Sequence, residues 1–360
     1  MTAARERRAL RPRTCVWELT LACDARCRHC GSSAGRARPG ELDGREALAL
    51  VADLAALGCE SVTLSGGEPL LRRDWPAIAA AVVERGMRLE LVTNGLSALA
   101  QADAIAAAGF HSVTLSIDGP HAVHDGLRGV PGGLERLLAG AAALAARGVR
   151  IAANTQVNRE NLAELDRIHA LLLGWGFGGW QLQLTMAHGR ARDGGTLCLA
   201  PAELPRLADF IVELRRSSPL RVQVGDNLGY MGRSEPRLRT ASGPPRQFFA
   251  GCQAGLGVIG IRSDGTVLGC LSLPAALAAG NLRERPLAAL WADDDGFAYN
   301  RRFAPALLTG ACAGCAFGPV CRGGCRSLAW SATGTLFDNP RCLHRVEREG
   351  AAAPGRHRLE

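Results

Sequence analysis

The chain contains no lysine, so all 42 of its Lys/Arg cations are arginine. This absence excludes catalysis through a lysine Schiff base, including a pyridoxal phosphate lysine, and it excludes a Walker-type phosphate loop. Aromatic residues make up only 5% of the 360 residues, and no basic helix carries interleaved aromatics. We therefore expect no nucleic-acid partner, although the formal net charge is +8.

An export signal and a membrane span are also missing. Residues 1–13 carry charge but no apolar signal core. The longest stretch without formal charge, residues 168–189, holds five glycines and no continuous apolar face, so we expect no membrane helix. Because no secretory signal is present, the 13 cysteines do not indicate a disulfide framework. They predict reduced, metal-bound thiols in a cytoplasmic protein.

Short β-rich runs alternate with alanine- and leucine-rich stretches through the first 220 residues. We predict strands at 16–20, 61–65, 89–93, 112–117, 149–155 and 180–185, and helices near 43–57, 73–85, 98–108, 133–147, 161–173 and 202–216. Several of these helices end at a glycine, the usual stop signal. Six such alternations predict an α/β fold with a parallel sheet and helical crossovers, either open or closed into a barrel.

The composition changes near Val222, where glycine, proline and arginine become frequent. The sequence S-D-G at 263–265 lies between two β-rich runs and predicts a hairpin, which leads into a second group of cysteines. We therefore predict a flexible N-terminal tail at 1–13, a barrel domain at 14–220, a bridging segment at 221–250, a small cysteine-rich domain at 251–345 and a tail at 346–360.

The most informative motif is C-D-A-R-C-R-H-C at residues 23–30. Its C-x3-C-x2-C spacing supplies three thiolates on one loop, one fewer than an ordinary [4Fe–4S] cluster uses. The missing ligand would leave one iron open to a substrate or cofactor. By itself the triplet is equally compatible with a partial zinc site or with chance.

Further polar or glycine-rich motifs follow the next three predicted strands. They are Ser65-Gly66-Gly67-Glu68-Pro69, Thr93-Asn94-Gly95 and Ser116-Ile117-Asp118-Gly119. In parallel α/β proteins the carboxyl edge of the sheet is where ligands bind. Together with the cysteine loop, these motifs resemble the radical S-adenosylmethionine (SAM) superfamily over most of residues 15–190. The resemblance implies a partial (β/α)6 parallel barrel.

The resemblance also implies roles for particular residues. Cys23, Cys27 and Cys30 would hold a [4Fe–4S] cluster whose open iron binds SAM. Around SAM, Gly66, Gly67 and Glu68 would meet the methionyl amino group, Asn94 would border the site, Ser116 and Asp118 would meet the ribose, and His29 would lie near the adenine. Arg190 could pair with the SAM carboxylate, although a solvated surface arginine is an equal alternative.

The C-terminal cysteines resemble the seven-cysteine SPASM arrangement, which binds auxiliary clusters. In SPASM relatives the ligands interleave, so Cys312, Cys315, Cys321 and Cys342 would complete one auxiliary iron–sulfur cluster of the [4Fe–4S] type, whereas Cys252, Cys270 and Cys325 would supply only three ligands to the other. Structural zinc is the alternative, because C-x2-C pairs with later cysteines also build tetrahedral zinc sites.

Other candidates lie outside these motifs. Cys198 follows the sixth strand and has three interpretations: a buried filler, the fourth ligand of the incomplete cluster, or a hydrogen-atom donor. Asp226 is a candidate general base or substrate contact, with a turn aspartate as the alternative. The bridging segment carries four arginines that would suit an acidic substrate or form a solvated face, namely Arg233, Arg237, Arg239 and Arg246.

The resemblance predicts a radical SAM enzyme that abstracts a hydrogen atom from a peptide or protein, with auxiliary clusters as electron acceptors. A flavodoxin- or ferredoxin-type donor would supply the electron. Because the first strand begins near Cys15, we expect no leader-recognition domain before it, so a separate protein would present the leader. The alternatives are a dehydrogenase or epimerase of a sugar or aminocyclitol, and a non-catalytic iron–sulfur electron carrier.

Overall fold

A computed structural model describes residues 10–193, 197–240 and 247–352. Its strands are β1 (Thr14–Thr20), β2 (Ser61–Gly66), β3 (Arg88–Thr93), β4 (Ser112–Ser116), β5 (Ile151–Val157), β6 (Gly179–Leu184), β7 (Arg221–Val224), β8 (Val258–Ile261), β9 (Thr266–Leu268) and β10 (Gly280–Asn281). They form one sheet in the order β10-β9-β8-β1-β2-β3-β4-β5-β6-β7. Neighbours from β1 to β7 are parallel. The predicted α/β class is confirmed.

The helices lie between and after these strands. They are α1 (Gly44–Ala56), α2 (Trp75–Glu84), α3 (Ala102–Ala107), α4 (His121–Arg128), α5 (Gly133–Ala146), α6 (Leu165–Gly174), α7 (Arg190–Asp193), α8 (Leu204–Ser217), α9 (Glu235–Arg239), α10 (Leu287–Ala292), α11 (Ala298–Arg301), α12 (Gly318–Cys321), α13 (Arg326–Thr333) and α14 (Leu343–Ala352). Among the described residues, no helix is long and apolar enough to cross a membrane.

Local sequence explains how the first crossover is built. Asp43 caps α1 by accepting from the Glu46 amide at 2.8 Å, and the Glu46 carboxylate accepts from the Asp43 amide at 2.8 Å. This reciprocal capping box fixes where the helix begins. In β5 every second residue is buried, which is the period expected of a strand covered on one face more than the other. The core therefore lies between the sheet and its helices.

Two strands join the parts of the chain that we expected to be separate. β7 lies within the predicted bridging segment 221–250 but continues the parallel sheet beside β6. It was not predicted because its four residues, R-V-Q-V, are too short for a clear pattern. At the other edge, β8 pairs parallel with β1, and β8 and β9 form the predicted antiparallel hairpin, which is confirmed. One sheet thus runs through both regions.

Two helical segments also differ from the sequence prediction. Residues 346–352 were assigned to a tail, but they form the end of α14. α4 was not predicted, because its sequence H-A-V-H-D-G-L-R has few apolar residues and an internal glycine. Only His124 and Leu127 of α4 are buried. α4 follows the Ser116–Asp118 motif directly and therefore forms one wall of the site described next.

Candidate functional site

The loop after β1 presents three thiols to one cavity at the carboxyl edge of the sheet. Cys23, Cys27 and Cys30 line this cavity, which has a volume of about 200 Å³ and is called the small cavity below. The loop is pinned to α4, because the Arg26 amide donates to the Arg128 carbonyl at 3.0 Å and the Arg28 amide donates to the Leu127 carbonyl at 2.8 Å. Burial raises the pKa of the Cys23 thiol to about 11.

Gly66 and Gly67 let the loop after β2 pack against the cysteine loop. A Cβ on Gly67 would lie 2.2 Å from the carbonyl oxygen of Ala22, and one on Gly66 would lie 2.4 Å from that of Thr20. Gly66 also has φ +127°, a backbone conformation that favours glycine. Both glycines line the small cavity, so the G-G pair brings bare backbone to the site.

Glu68 is not among the residues that line the small cavity, and its contact with the SAM amino group stays a prediction. Its side chain is fully buried and accepts three hydrogen bonds, from the Thr93 hydroxyl at 2.8 Å, the Asn94 amide at 2.8 Å and the Leu70 amide at 3.1 Å. Burial raises the pKa of Glu68 to about 7, although these donors oppose the shift. Glu68 therefore joins the G-G-E and T-N-G loops beneath the site.

Asn94 and Ser116 line the wall of the small cavity, and their contacts with SAM stay predictions. The Asn94 side-chain amide donates to Asp24 at 2.7 Å and approaches the Cys23 sulfur at 3.8 Å. Its own carbonyl oxygen accepts from the Leu96 amide at 2.9 Å. Asn94 thus orients the first cysteine of the loop as well as bordering the cavity.

Asp118 is fully buried and is not among the residues that line the small cavity, and its contact with the ribose stays a prediction. One carboxylate oxygen accepts from the Gln156 amide at 2.9 Å, and the other lies 3.1 Å from Nε2 of His29 and next to the Arg128 guanidinium. Burial alone would raise the pKa of Asp118, but Arg128 and His29 hold it well below its usual range. Asp118 therefore orients His29 and Arg128.

Arg128 is a site residue that the sequence analysis missed. It ends α4, lines the small cavity and donates to the Cys27 sulfur at 3.6 Å while pairing with Asp118. Burial lowers its pKa, but Asp118 and Cys27 more than offset this and raise the pKa above its usual value. The only signal in the sequence was its place ten residues after Asp118.

Arg190 holds the cysteine loop in place, and its pairing with the SAM carboxylate stays a prediction. Its side chain donates to the carbonyl oxygens of Cys27 at 2.7 Å and Ala34 at 2.8 Å. Because it also lines the small cavity, a free edge of its guanidinium borders the space beside the three thiols. It is not a solvated surface arginine.

A larger cavity of about 460 Å³ opens beside the small cavity, between the barrel and the C-terminal region. Seven residues line both cavities: His29, Gly31, Ser32, Ser65, Gly66, Gln156 and Gln183. Three arginines, Arg38, Arg192 and Arg262, line the larger one. Arg38 is paired with the buried carboxylate of Glu18 at 2.7 Å. The two spaces are therefore neighbours with a shared polar wall.

Four of the C-terminal cysteines surround a third cavity. Cys312, Cys315, Cys321 and Cys342 all line this space of about 530 Å³. They come from three separate segments, because Cys321 ends α12 and Cys342 precedes α14. Burial raises the pKa of Cys321 to about 12 and that of Cys342 to about 11. The structure thus gathers the first of the two predicted ligand sets.

Cys252, Cys270 and Cys325 form a second group. Burial raises the pKa of Cys325, and the neighbouring Cys252 and Cys270 raise it further. Burial likewise raises the pKa of Cys270 to about 11, and the nearby Asp226 adds to this increase. The Tyr299 hydroxyl, whose pKa is raised by burial and then by Cys252 and Cys270, is buried without a hydrogen-bond partner among the described residues.

Cys198 and Asp226 do not line any of these three cavities. Cys198 is buried between the core residues Leu197 and Leu199, which supports the filler interpretation over the two others. The Asp226 side chain is 67% exposed and lies 3.8 Å from Arg239. The bridging segment is also less basic than expected, because Arg233 and Arg239 pair with carboxylates. Arg246 lies outside the described residues.

Comparisons with known proteins agree with this geometry. Residues 17–172 match the Radical SAM superfamily model, and residues 252–316 match the SPASM model, an iron-sulfur cluster-binding domain. The AdoMet-dependent heme synthase of Methanosarcina barkeri is 32% identical over 93% of this chain and 97% of its own length. The chain belongs to the radical SAM superfamily.

Other relatives of this radical SAM protein differ in their named functions. The mycofactocin maturase MftC of Mycobacterium tuberculosis is 30% identical over 95% of this chain and 85% of its own length. The structure of Streptococcus suis SuiB bound to S-adenosylmethionine superimposes with a TM-score of 0.69 at 18% identity, over 91% of this chain and 76% of SuiB. At that identity the structural match shows the fold alone.

The residues of the site fit the cofactors that the two domains imply. His29 Nδ1 and Asn154 Oδ1, on the wall of the small cavity, are buried without hydrogen-bond partners among the described residues, so a polar ligand such as SAM would satisfy them. In the described ranges no group of three or more His, Cys, Asp or Glu side chains is arranged to hold a single metal ion.

Proposed function

We propose that this radical SAM enzyme abstracts a hydrogen atom from a peptide held in the larger cavity. The proposal is carried by one observation, the shared wall between the thiol-lined small cavity and the arginine-lined larger cavity. A cofactor bound in the first would lie next to a substrate bound in the second. A reactive radical has to be kept from solvent, so the cofactor and the substrate must lie close together in a sheltered site.

The wall that the two cavities share carries side-chain amide groups, which suit a peptide substrate. Gln156 and Gln183 line both cavities, at the ends of two adjacent parallel strands. Side-chain amides both donate and accept hydrogen bonds, as peptide groups do. Arg262 and Arg192 add positive charge for a substrate carboxylate. A relative named for a peptide, a PqqA peptide cyclase, supports the same substrate class.

In this proposal Cys23, Cys27 and Cys30 hold the cluster that binds SAM. When bound, the cluster and SAM together supply the electron and the adenosyl group needed for hydrogen-atom abstraction. Asn94 and Arg190 hold the loop that carries the thiols, and Gly66 and Gly67 expose backbone beside it. Ser116 and His29 border the space for the nucleoside.

Each of the two C-terminal cysteine groups is assigned one auxiliary cluster. We propose that Cys312, Cys315, Cys321 and Cys342 hold one cluster and that Cys252, Cys270 and Cys325 hold the other with three ligands. They would accept the electron that the substrate radical loses. An external flavodoxin or ferredoxin would reduce the cluster of the barrel.

The first test is iron, labile sulfide and zinc per chain after anaerobic reconstitution, for the wild type and a Cys23/Cys27/Cys30→Ala variant. We expect about twelve irons to fall to about eight, with loss of SAM cleavage in the variant. Stoichiometric zinc in place of eight irons would contradict the auxiliary-cluster assignment. SAM cleavage by the wild type would exclude the electron-carrier alternative.

The second test identifies the substrate. The enzyme is incubated with SAM, reductant and synthetic peptides encoded beside its gene, and the products are analysed by mass spectrometry. A loss of about 2 Da shows oxidation or a crosslink, because two hydrogen atoms leave. Incorporation of one deuterium from D₂O without mass loss in H₂O shows epimerisation. No change in any such peptide would contradict the peptide proposal.

A carboxylated tetrapyrrole is a second candidate substrate. It is favoured by the arginines of the larger cavity and by relatives named as heme synthases and as an Fe-coproporphyrin III synthase. Titration with Fe-coproporphyrin III tests it directly, since binding shifts the strong visible band of the macrocycle. A saturable shift that Arg262→Gln weakens would favour the tetrapyrrole over the peptide.

A further inference from the structure

One buried charge in the C-terminal region has no anionic partner in the part of the chain that the structure describes. Arg326 directly follows Cys325, begins α13 and is fully buried. Its guanidinium donates to the Asn300 side-chain oxygen at 3.0 Å and to the carbonyl oxygens of Leu336 at 3.1 Å, Tyr299 at 3.3 Å and Arg322. Each of these hydrogen bonds ends on a neutral oxygen.

Three other buried carboxylates are paired with arginines, and a fourth, Glu68, can lose its charge by taking up a proton, because burial raises its pKa to about 7. Glu18 contacts Arg38, Asp118 contacts Arg128, and Glu235 contacts Arg239 at 2.9 Å. A buried charge without a counter-charge is strongly unfavourable, and an arginine does not escape this cost by losing its proton. Hydrogen bonds to carbonyl oxygens satisfy the donors of Arg326 but leave its charge uncompensated.

Arg326 is next to cysteines of both groups, because it directly follows Cys325 and its guanidinium donates to the carbonyl oxygen of Arg322, the residue after Cys321. Burial lowers the pKa of Arg326, whereas Cys252, Cys321 and Cys325 act in the opposite direction. Cys252 and Cys325 belong to the three-cysteine group, and Cys321 belongs to the four-cysteine group. The guanidinium also stacks on Phe337, 4.4 Å from the ring centre, which holds it in place. Arg326 therefore lies between the two groups.

We propose that Arg326 is a counter-charge shared by the two auxiliary clusters, and that it raises the reduction potential of both. The inference rests on the proposed assignment of these cysteines to two clusters. A thiolate-bound iron–sulfur cluster is anionic and gains one more negative charge when it is reduced. A fixed cation in a low-dielectric interior favours the more negative state. Both clusters would therefore accept an electron more readily.

The experiment is a reductive titration of the full-length chain after reconstitution. The parent is the Cys23/Cys27/Cys30→Ala variant, so that only auxiliary clusters contribute to the EPR and visible signals. Arg326→Gln removes the charge, and Arg326→Lys keeps it. Arg301→Gln is the matched control, because Arg301 is also buried over an aromatic ring, 4.7 Å from the centre of Trp291, but is paired with Asp294.

We expect Arg326→Gln to shift both midpoint potentials to more negative values, while Arg301→Gln shifts neither. If Arg326→Gln protein with full iron content keeps both midpoint potentials unchanged, or shifts only one of them, the inference is wrong while the two-cluster assignment stands. If Arg326→Gln loads no iron but Arg326→Lys does, the requirement for charge is supported. If Arg326→Lys also fails to load, the hydrogen bonds rather than the charge matter, and the inference is wrong. A parent that binds no iron would overturn the two-cluster assignment as well.

Discussion

Gly67→Ala offers the sharpest test of how the barrel site is assembled. The added Cβ would lie 2.2 Å from the Ala22 carbonyl oxygen and 2.6 Å from that of Leu21, and real Cβ atoms essentially never approach within 3.0 Å. Both obstacles are backbone atoms of the segment leading into the cysteine loop. They cannot rotate away as a side chain would, so the loop itself has to move by about 0.8 Å.

The consequence should be larger for chemistry than for stability. Overpacking of this kind costs about 1–3 kcal/mol, which a domain of this size tolerates. A displacement of about 1 Å in a reacting group can lower the rate about 10²-fold. We therefore expect Gly67→Ala to fold with a modestly lower Tm, and to cleave SAM about 10²-fold more slowly than the wild type.

The assay measures iron content, Tm by circular dichroism and the rate of 5′-deoxyadenosine formation on the same preparations. Gly174→Ala is the control, because a Cβ on Gly174 meets no atom within 4 Å and the residue lies in α6. This control should match the wild type or be slightly more stable. Wild-type SAM cleavage by fully loaded Gly67→Ala protein would refute the close contact between the two loops.

Three further outcomes follow from the structure. Burial raises the pKa of Glu68 in the folded protein to about 7, above the ordinary 4.5. Because the folded protein then keeps a proton that the unfolded chain releases, this contribution to stability is complete below pH 4.5 and is lost as the pH rises to about 7, so the unfolding free energy of the apoprotein relative to that of Glu68→Gln should fall by roughly 3 kcal/mol across that window in urea titrations. A difference that stays constant with pH would contradict this. Arg128→Gln should cost about 3–5 kcal/mol, measured in the same way, because it removes the arginine partner of the buried Asp118 carboxylate; a cost below about 1 kcal/mol would contradict the ion pair. Cys198→Ala should leave iron content and SAM cleavage unchanged, and loss of either would restore its predicted chemical role.

The sequence predicted those features of the fold that depend on periodicity and on strand ends. Six parallel strands, the hairpin and the grouping of motifs at one edge all follow from patterns of ten or so residues. The cysteines were predictable for the same reason, since their spacing is a property of the chain alone. β7 and α4 were missed because each has few apolar residues, and their stability comes from neighbouring elements that the local sequence does not specify.

Side-chain roles were less predictable than side-chain positions. Glu68 and Asp118 each follow a strand at the carboxyl edge, so both were expected to face the ligand. In the structure both turn inward, since each finds buried donors there: three for Glu68, and the Gln156 amide with the Arg128 guanidinium for Asp118. Such partners come from other strands and helices, 25 or more residues away in the case of Thr93 and Gln156. Sequence spacing cannot distinguish a carboxylate that binds a ligand from one that supports the loop beside it.

The position of β1 explains how three cysteine groups can act as one system. β1 lies between β2 and β8, so the loop that follows β1 and the hairpin that leads to Cys270 are built on adjacent parallel strands. Glu18 reinforces this link, because its buried carboxylate accepts from the Ser263 hydroxyl at 2.9 Å in the hairpin turn and pairs with Arg38. The sheet rather than a flexible linker therefore fixes the distance between the barrel thiols and the Cys252–Cys270–Cys325 group. If the cysteine groups hold clusters as proposed, the sheet keeps their separation fixed, and electron transfer between redox centres depends steeply on that separation.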